Sequence, residues 1–366
     1  MTKLALTFPP TLRYACEIES CRGCCSLFEE IELSPGDVET LEGLGYSSFC
    51  REGRRRVLRR PCPFLRGKLC EIHVRHGASA KPGVCRKYPF TVSLLDNGWV
   101  LVDVKWACMG VGAEEGEALT SAYIKRELRD FLSARGGKIP VGVAVPLSDE
   151  GDKRVSWEGV KKLYDYASEE VLLRDGALRD KIGKIVYLLR EFTEACYGGD
   201  IASLEEVRVF LKGLRPEAWR MDDVPWDAEI TYYGIIDELL STGITPNSAA
   251  KRLGLGMRMS SPAELVFSRN AEELYSLYMS QCLRETLSKP WSLRASFYWT
   301  MGVMGLVDFV TKCATRDEVS GARMREAIAV VDFLNKGSRG FRDHAYPLYP
   351  ELGLHYLSMM LSPARR

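Results

Sequence analysis

The chain has 366 residues, 46% of them hydrophobic and 27% charged. That composition is ordinary for a globular protein and excludes a disordered chain, while the length exceeds what one hydrophobic core usually serves. The net charge of +1 argues neither for nor against a nucleic-acid partner.

The first ten residues, Met1 to Pro10, hold no apolar run followed by a small-residue cleavage site. No export signal is expected from them, and the cytoplasm is the expected compartment. The segment 1–112 reads as short strands and loops. A helix is expected from Pro35 to Leu44, with Ser34 as N-cap and Gly45 as the stop. Residues 61–72 read as a hairpin around Arg66-Gly67-Lys68, and residues 91–106 as a second one turning at Asp96-Asn97-Gly98.

Beyond Gly112 the pattern changes. Residues 114–135 have helical periodicity, stopped by Gly136-Gly137. Residues 138–148 read as a linker or an edge strand. Helices are then expected over 156–173, 177–197, 203–214, 226–240, 262–287, 293–314, 319–335 and 349–361, with Ser156 and Ser203 as N-caps. The longest apolar stretch, 295–310, is short for a membrane span and reads as a buried core helix, so no membrane partner is expected. The expected class is α+β: a loop- and hairpin-rich cysteine-cluster domain over 1–112 and a mostly α-helical domain over 113–366.

Nine of the twelve cysteines fall between Cys16 and Cys108; only Cys196, Cys282 and Cys313 lie beyond. Without an export signal a disulfide framework is not expected, and cysteines so concentrated read as metal ligands or redox thiols. Cys16-x4-Cys21-x2-Cys24-Cys25 opens the constellation, and Cys62, Cys70, Cys85 and Cys108 follow. A Cys-x2-Cys step lets a tight loop point two sulfurs at one centre, and cysteines on later hairpins complete the sphere. Neighbouring side chains on extended backbone point opposite ways, so Cys24 and Cys25 serve different centres, or one ligates and the other packs.

Setting Cys50 aside, eight thiols are enough for two four-thiolate sites or for one cluster with spare cysteines. Thiol count does not choose between Zn2+ and a 4Fe-4S cluster, because four thiolates give either a similar negative charge. Residues 1–110 carry 16 Lys and Arg against 12 Asp and Glu, and Arg22, Arg86 and Lys87 flank candidate ligands directly. His73 and His76 read as ordinary polar residues given the surplus of thiols.

The order Cys21-x2-Cys24-Cys25, Cys62-x-Phe64-Leu65, Cys70-x-Ile72 and Pro82-x2-Cys85-Arg86-x-Tyr88-Pro89 resembles the YkgJ-type cysteine-cluster family, also described as the CxxCxxCC zinc- or iron-chelating domain. The wide first spacing from Cys16 and the later Cys108 resemble its flagellin lysine N-methylase branch. Phe90 departs from that branch, which tends to have arginine there. The resemblance covers about the first third of the chain. It implies a 4Fe-4S cluster, S-adenosylmethionine as methyl donor, and a protein substrate with target lysines. The metal ligands it marks are drawn from Cys16, Cys21, Cys24, Cys25, Cys62, Cys70, Cys85 and Cys108, with Cys21, Cys24, Cys25 and Cys85 at the core of the cofactor site.

No catalytic residue is marked. A strand, Gly-rich turn and helix of the usual methyltransferase kind is absent; Gly254-Leu255-Gly256 is too short a match. A Cys-x3-Cys-x2-Cys triplet, a P-loop and a Gly-x-Ser-x-Gly elbow are absent too. The run Arg51 to Arg60 holds six arginines without interleaved aromatics and reads as a solvated strand or loop rather than a nucleic-acid surface. Phe297, Tyr298, Trp299, Met301 and Met304 read as core packing. Tyr232, Tyr233 and Asp237, with Tyr275 and Tyr278, are candidates for a lysine pocket, against a reading as simple packing.

Three function classes follow: an iron–sulfur protein-lysine N-methyltransferase, a zinc- or iron-binding structural or metal-handling protein, and a redox electron-transfer protein. The first requires a cavity between the cysteine segment and the helices, with a site that keeps the lysine amine neutral.

Overall fold

The computed structural model describes residues 3–16, 30–52, 55–59, 61–67, 69–132, 138–149, 151–199, 201–214, 246–253, 255, 267–315, 318–337 and 339–361. The fold is α+β. Along the first part run β1 (Lys3–Leu6), β2 (Arg13–Tyr14), β3 (Glu30–Glu32), α1 (Pro35–Gly43), β4 (Cys50–Glu52), β5 (Arg55–Arg59), β6 (Leu65–Arg66), β7 (Leu69–Cys70), α2 (Glu71–His76), α3 (Gly83–Lys87), β8 (Phe90–Leu94), β9 (Trp99–Val104) and β10 (Glu117–Ala118). Then come α4 (Ser121–Glu127), α5 (Arg129–Leu132), β11 (Ala144–Pro146), β12 (Arg154–Ser156), α6 (Trp157–Tyr166), α7 (Leu178–Gly198), α8 (Leu204–Gly213), α9 (Pro246–Leu253), α10 (Arg269–Glu285), α11 (Leu293–Ala314), α12 (Gly321–Gly337) and α13 (Arg339–Leu361).

Local signals set many boundaries. Ser34 accepts from the Asp37 backbone N–H while the Asp37 carboxylate accepts from the Ser34 N–H, so α1 starts on a capping box, with Pro35 at its first position. Gly45, at φ +84°, ends it as expected. Ser156 and Ser203 cap α6 and α8. The expected 91–106 hairpin is β8 and β9, paired Phe90 to Val104 through Leu94 to Val100, and β1 adds in parallel on the other edge of β9.

Other expectations shift. The 61–72 hairpin is present as β6 and β7 with Gly67 at φ +61°, but Glu71 opens a helix instead of extending the strand. Arg66 and Arg75 both pair with Glu71, at 3.0 and 3.1 Å, and hold that turn. The expected long helix over 114–135 begins at Ser121, because residues 117–118 pair with β2 instead. Gly116 permits this pairing: a Cβ there would lie 2.6 Å from the Tyr14 backbone. The expected 156–173 helix is α6 continued by a π-helical turn over Ala167–Leu172. The expected 226–240 helix lies outside the described residues.

Two apolar cores result. The small one gathers Ile31, Leu33, Leu41, Leu58, Phe64 and Ile72. The large one starts at the strands, with Ala5, Val102 and Trp106, and continues without a break through the helices to Leu357.

Buried polar contacts lock the end of β9 onto the helices. Trp106 donates its indole N–H to Gln281 Oε1 at 2.6 Å, and Gln281 Nε2 donates to Asp103 Oδ1 at 2.7 Å and to the Val104 carbonyl at 2.6 Å. Lys336 Nζ lies 2.9 Å from Asp103 Oδ2, 2.9 Å from Glu285 Oε2 and 3.1 Å from Asp332 Oδ1. The other Asp332 oxygen accepts from the Ala107 backbone N–H at 3.0 Å. Burial alone would depress the Lys336 ammonium, but Asp103, Asp332 and Glu285 outweigh it and hold it well above the ordinary lysine range. Burial raises Glu285 and Asp332 above ordinary carboxylates, with Lys336 opposing the rise.

Candidate metal centre

The described candidate ligands fall into two groups. Cys62, Cys70 and Cys85 are half-buried and all pack against the small core. Their placement follows from local structure. The Cys62 carbonyl accepts from Leu65 N–H at 3.1 Å, closing the turn that leads into β6, and Leu65 pairs directly with Cys70 across the hairpin. Cys70 is the N-cap of α2 but does not use its thiol to cap the helix. Cys85 lies in α3, whose first residue, Gly83, donates its N–H to Asp37 Oδ1 at 2.8 Å. The same aspartate closes the capping box of α1, so one carboxylate fixes α1 and the Cys85 turn together.

The second group is Cys16 and Cys108. Residues 13–15 pair with 110–112: Ala15 N–H donates to the Gly110 carbonyl at 3.0 Å, and Gly112 N–H to the Arg13 carbonyl at 2.8 Å. The approach requires glycine at 110, where a Cβ would fall 1.9 Å from the Ala15 carbonyl oxygen. Both thiols flank Tyr14. Burial raises the Tyr14 phenol far above its ordinary value, and the Cys108 and Cys16 thiols add to the rise, Cys16 also by hydrogen bonding.

The groups are joined through the backbone. After Cys85 the chain passes the cis Tyr88-Pro89 peptide, and the Pro89 carbonyl accepts from Lys105 N–H at 2.9 Å, three residues before Cys108. Phe90 stacks edge-on against Tyr14, with ring centroids 5.7 Å apart. Arg86 and Lys87 lean over the Phe131 ring.

Cys21, Cys24 and Cys25 lie outside the described residues. Among the described residues, no three His, Cys, Asp or Glu side chains converge as a metal-holding group, and no disulfide is formed. The donors present still suit a soft thiophilic metal. Cys62, Cys70 and Cys85 are thiols resting on apolar surface, with Lys81, Arg86 and Lys87 close by in the chain, a donor type that such a metal prefers.

The remaining expectations resolve by position. Cys50 is exposed on the edge strand β4. Cys196, Cys282 and Cys313 are buried in the large core or beside it, and burial pushes their thiols up, to about 12 for Cys196 and about 11 for Cys313. His76 meets the Tyr46 hydroxyl at 3.3 Å, and burial lowers His73, with Lys81 adding to it. Arg55 pairs with Glu30 at 2.7 Å and with Glu32 at 3.1 Å, as a solvated strand would. Tyr275 and Tyr278 are buried, Tyr275 bonded to Tyr356 and Tyr278 edge-on to Trp106, so these two are packing residues. Tyr232, Tyr233 and Asp237 lie outside the described residues. Phe297, Trp299, Met301 and Met304 are core, and Tyr298 is half-buried against it.

Periodicity did not reveal the cavity beside β2. It measures about 840 Å³ and is walled on one side by Thr11, Arg13, Ala15 and Gly112–Glu115, on the other by Asn270, Glu273, Leu274, Leu277 and Arg325. One wall thus belongs to β2 with its flanking residues and to residues 112–115, the other to α10 and α12. A second cavity of about 610 Å³ adjoins it and shares Thr11, Glu273 and Leu277. Among the described residues, no helix is long and apolar enough to cross a membrane. Compared with known protein families, characterised proteins and solved structures, the chain shows no significant match.

Proposed function

We propose that this chain is a cytoplasmic iron–sulfur protein that methylates lysine on a protein substrate, using S-adenosylmethionine. The observation that carries the reading is the 840 Å³ cavity between the residues around β2 and the helices, the feature that methyl transfer requires of these two segments. The likeness of the cysteine order to the lysine N-methylase branch supplies the chemistry. Reduced thiols in such number fit the cytoplasm.

The cluster would be held by a subset of Cys16, Cys21, Cys24, Cys25, Cys62, Cys70, Cys85 and Cys108, and would supply a fixed charge beside the methyl donor. The donor supplies an electrophilic methyl group. The protein's own task is to bring in a lysine and strip its proton, because only the neutral amine is nucleophilic. Glu114 and Glu115 are exposed at the cavity and attract a cationic side chain. Together with Glu273 they offer carboxylates at which the ammonium proton can leave. Leu12, Leu274 and Leu277 line the same space and desolvate the amine, which favours its neutral form.

The test is label transfer. Anaerobically purified protein, mixed with methyl-labelled S-adenosylmethionine and the extract of cells lacking it, is expected to yield labelled Nε-methyllysine after hydrolysis of the protein fraction. Cluster-loaded protein that leaves no label in lysine contradicts the methyltransferase reading.

A further inference from the structure

The smaller cavity holds a lysine and a glutamate that its own residues leave without an ion pair. Its lining includes Arg174, Arg269 and Lys181 as cations, with Asp175, Glu272 and Glu273 as anions. Two of the cations are satisfied. Arg269 pairs with Asp175 at 2.9 Å and with Glu273 at 3.3 Å, and Arg174 pairs with Glu170 at 2.6 Å.

Lys181 is different. It is 7% exposed, yet among the described residues its ammonium makes a single hydrogen bond, to Ser276 Oγ at 3.4 Å. Burial lowers its pKa, and Glu272, Asp175 and Glu273 act on it only through their charge. Glu272 is half-buried in the same wall, and no ion pair joins it to Lys181 or to any other described cation. A buried ammonium with unfilled donor positions and a nearby carboxylate that does not reach it leave a gap with a positive and a negative side.

A group with the opposite pair of charges fills such a gap. We propose that this lobe binds the zwitterionic head group of an α-amino acid, its carboxylate on Lys181 and Ser276 and its ammonium on Glu272. The rest of the ligand would extend past Thr11 and Leu277 into the larger cavity. Two sources carry this chemistry: a free amino acid, or the amino-acid end of an S-adenosyl nucleoside. No cysteine lines the lobe, so the inference does not rest on the metal centre, and it is read by binding without methyl transfer.

Titration calorimetry on the full chain tests it with S-adenosylhomocysteine, L-methionine and L-lysine as probes. Decarboxylated and deaminated methionine analogues serve as controls. At least one zwitterion is expected to bind and both controls to fail. Lys181→Met and Glu272→Gln are each expected to weaken the binding about tenfold or more, the loss of a hydrogen bond to a charged group. Glu272 is only half-buried, so Glu272→Gln keeps the fold even where Lys181→Met does not. Binding of S-adenosylhomocysteine alone identifies the lobe as the donor's; binding of a free amino acid identifies a separate ligand. No heat from any zwitterion, or binding unchanged in Glu272→Gln, overturns the proposal.

Discussion

Lys336→Met is expected to destabilise the protein by about 3–5 kcal/mol near neutral pH, the usual cost of removing one partner from a buried ion pair. The reason is arithmetic of charge. Lys336 pairs with Asp103, Glu285 and Asp332 at once. Without it, buried carboxylates face one another without the ammonium that pairs with all three, and Lys105 and Lys289 offset this only in part through their charge. The pH dependence has a definite sign. Glu285 and Asp332 already have raised folded-state values, through burial, so their favourable contribution is complete below the ordinary carboxylate range and is lost as pH rises through the folded value. Removing Lys336 raises them further. The deficit of the variant should therefore shrink as pH falls from about 7 to about 5, where protonation relieves the repulsion. Urea unfolding of both proteins at the two pH values measures this. A deficit that stays constant, or that grows on acidification, contradicts the arrangement.

Gly302→Ala and Gly353→Ala are each expected to cost about 3 kcal/mol, the upper end of what overpacked cores usually lose. In an ordinary helix the change from glycine to alanine gains about 1 kcal/mol. Here α11 and α13 cross backbone on backbone. A Cβ on Gly302 would lie 2.3 Å from the Tyr349 carbonyl oxygen, and one on Gly353 would lie 2.0 Å from that of Tyr298. Backbone atoms in two packed helices do not yield as a side-chain tip would, so the helices must separate. Because one separation relieves both clashes, the double variant should lose less than the sum of the two. Gly43→Ala is the control: nothing lies within 4 Å of a Cβ there, and its thermal midpoint should not fall. Midpoints of all four variants by circular dichroism check the set.

How much of this is legible in the sequence depends on the range of each interaction. The start and stop of α1 were readable, because Ser34, Pro35, Asp37 and Gly45 act on their own neighbours. The β8–β9 hairpin was readable for the same reason, its turn signal standing between two apolar runs. The short helices α2 and α3 were not, since helices of 6 and 5 residues are too brief for a period of 3.6 to emerge. α4 starts later than its helical periodicity suggests because residues 117–118 pair with β2, about a hundred positions earlier in the chain. The bond from Trp106 to Gln281 and the ring of carboxylates about Lys336 are likewise long-range, and no local pattern carries them.

The site divides along the same line. Thiol type and spacing mark eight cysteines together, without saying which belong to one place; that Cys62, Cys70 and Cys85 share one small core needed the fold. The pairing of residues 13–15 with 110–112, which brings Cys16 and Cys108 to Tyr14, needed the fold. So did the cavity, whose walls come from four separate stretches of chain. Lys181 had no signature at all; a lysine in the first turns of an amphipathic helix reads as solvated until its burial is seen.

We propose above all that the cysteines hold an iron–sulfur cluster. Iron, zinc and acid-labile sulfide, measured with the optical spectrum on protein purified without oxygen, test it most directly. About four irons per chain, matching sulfide and broad visible absorption are expected. Stoichiometric zinc on colourless protein, without sulfide, contradicts the claim and leaves a structural thiolate site in its place.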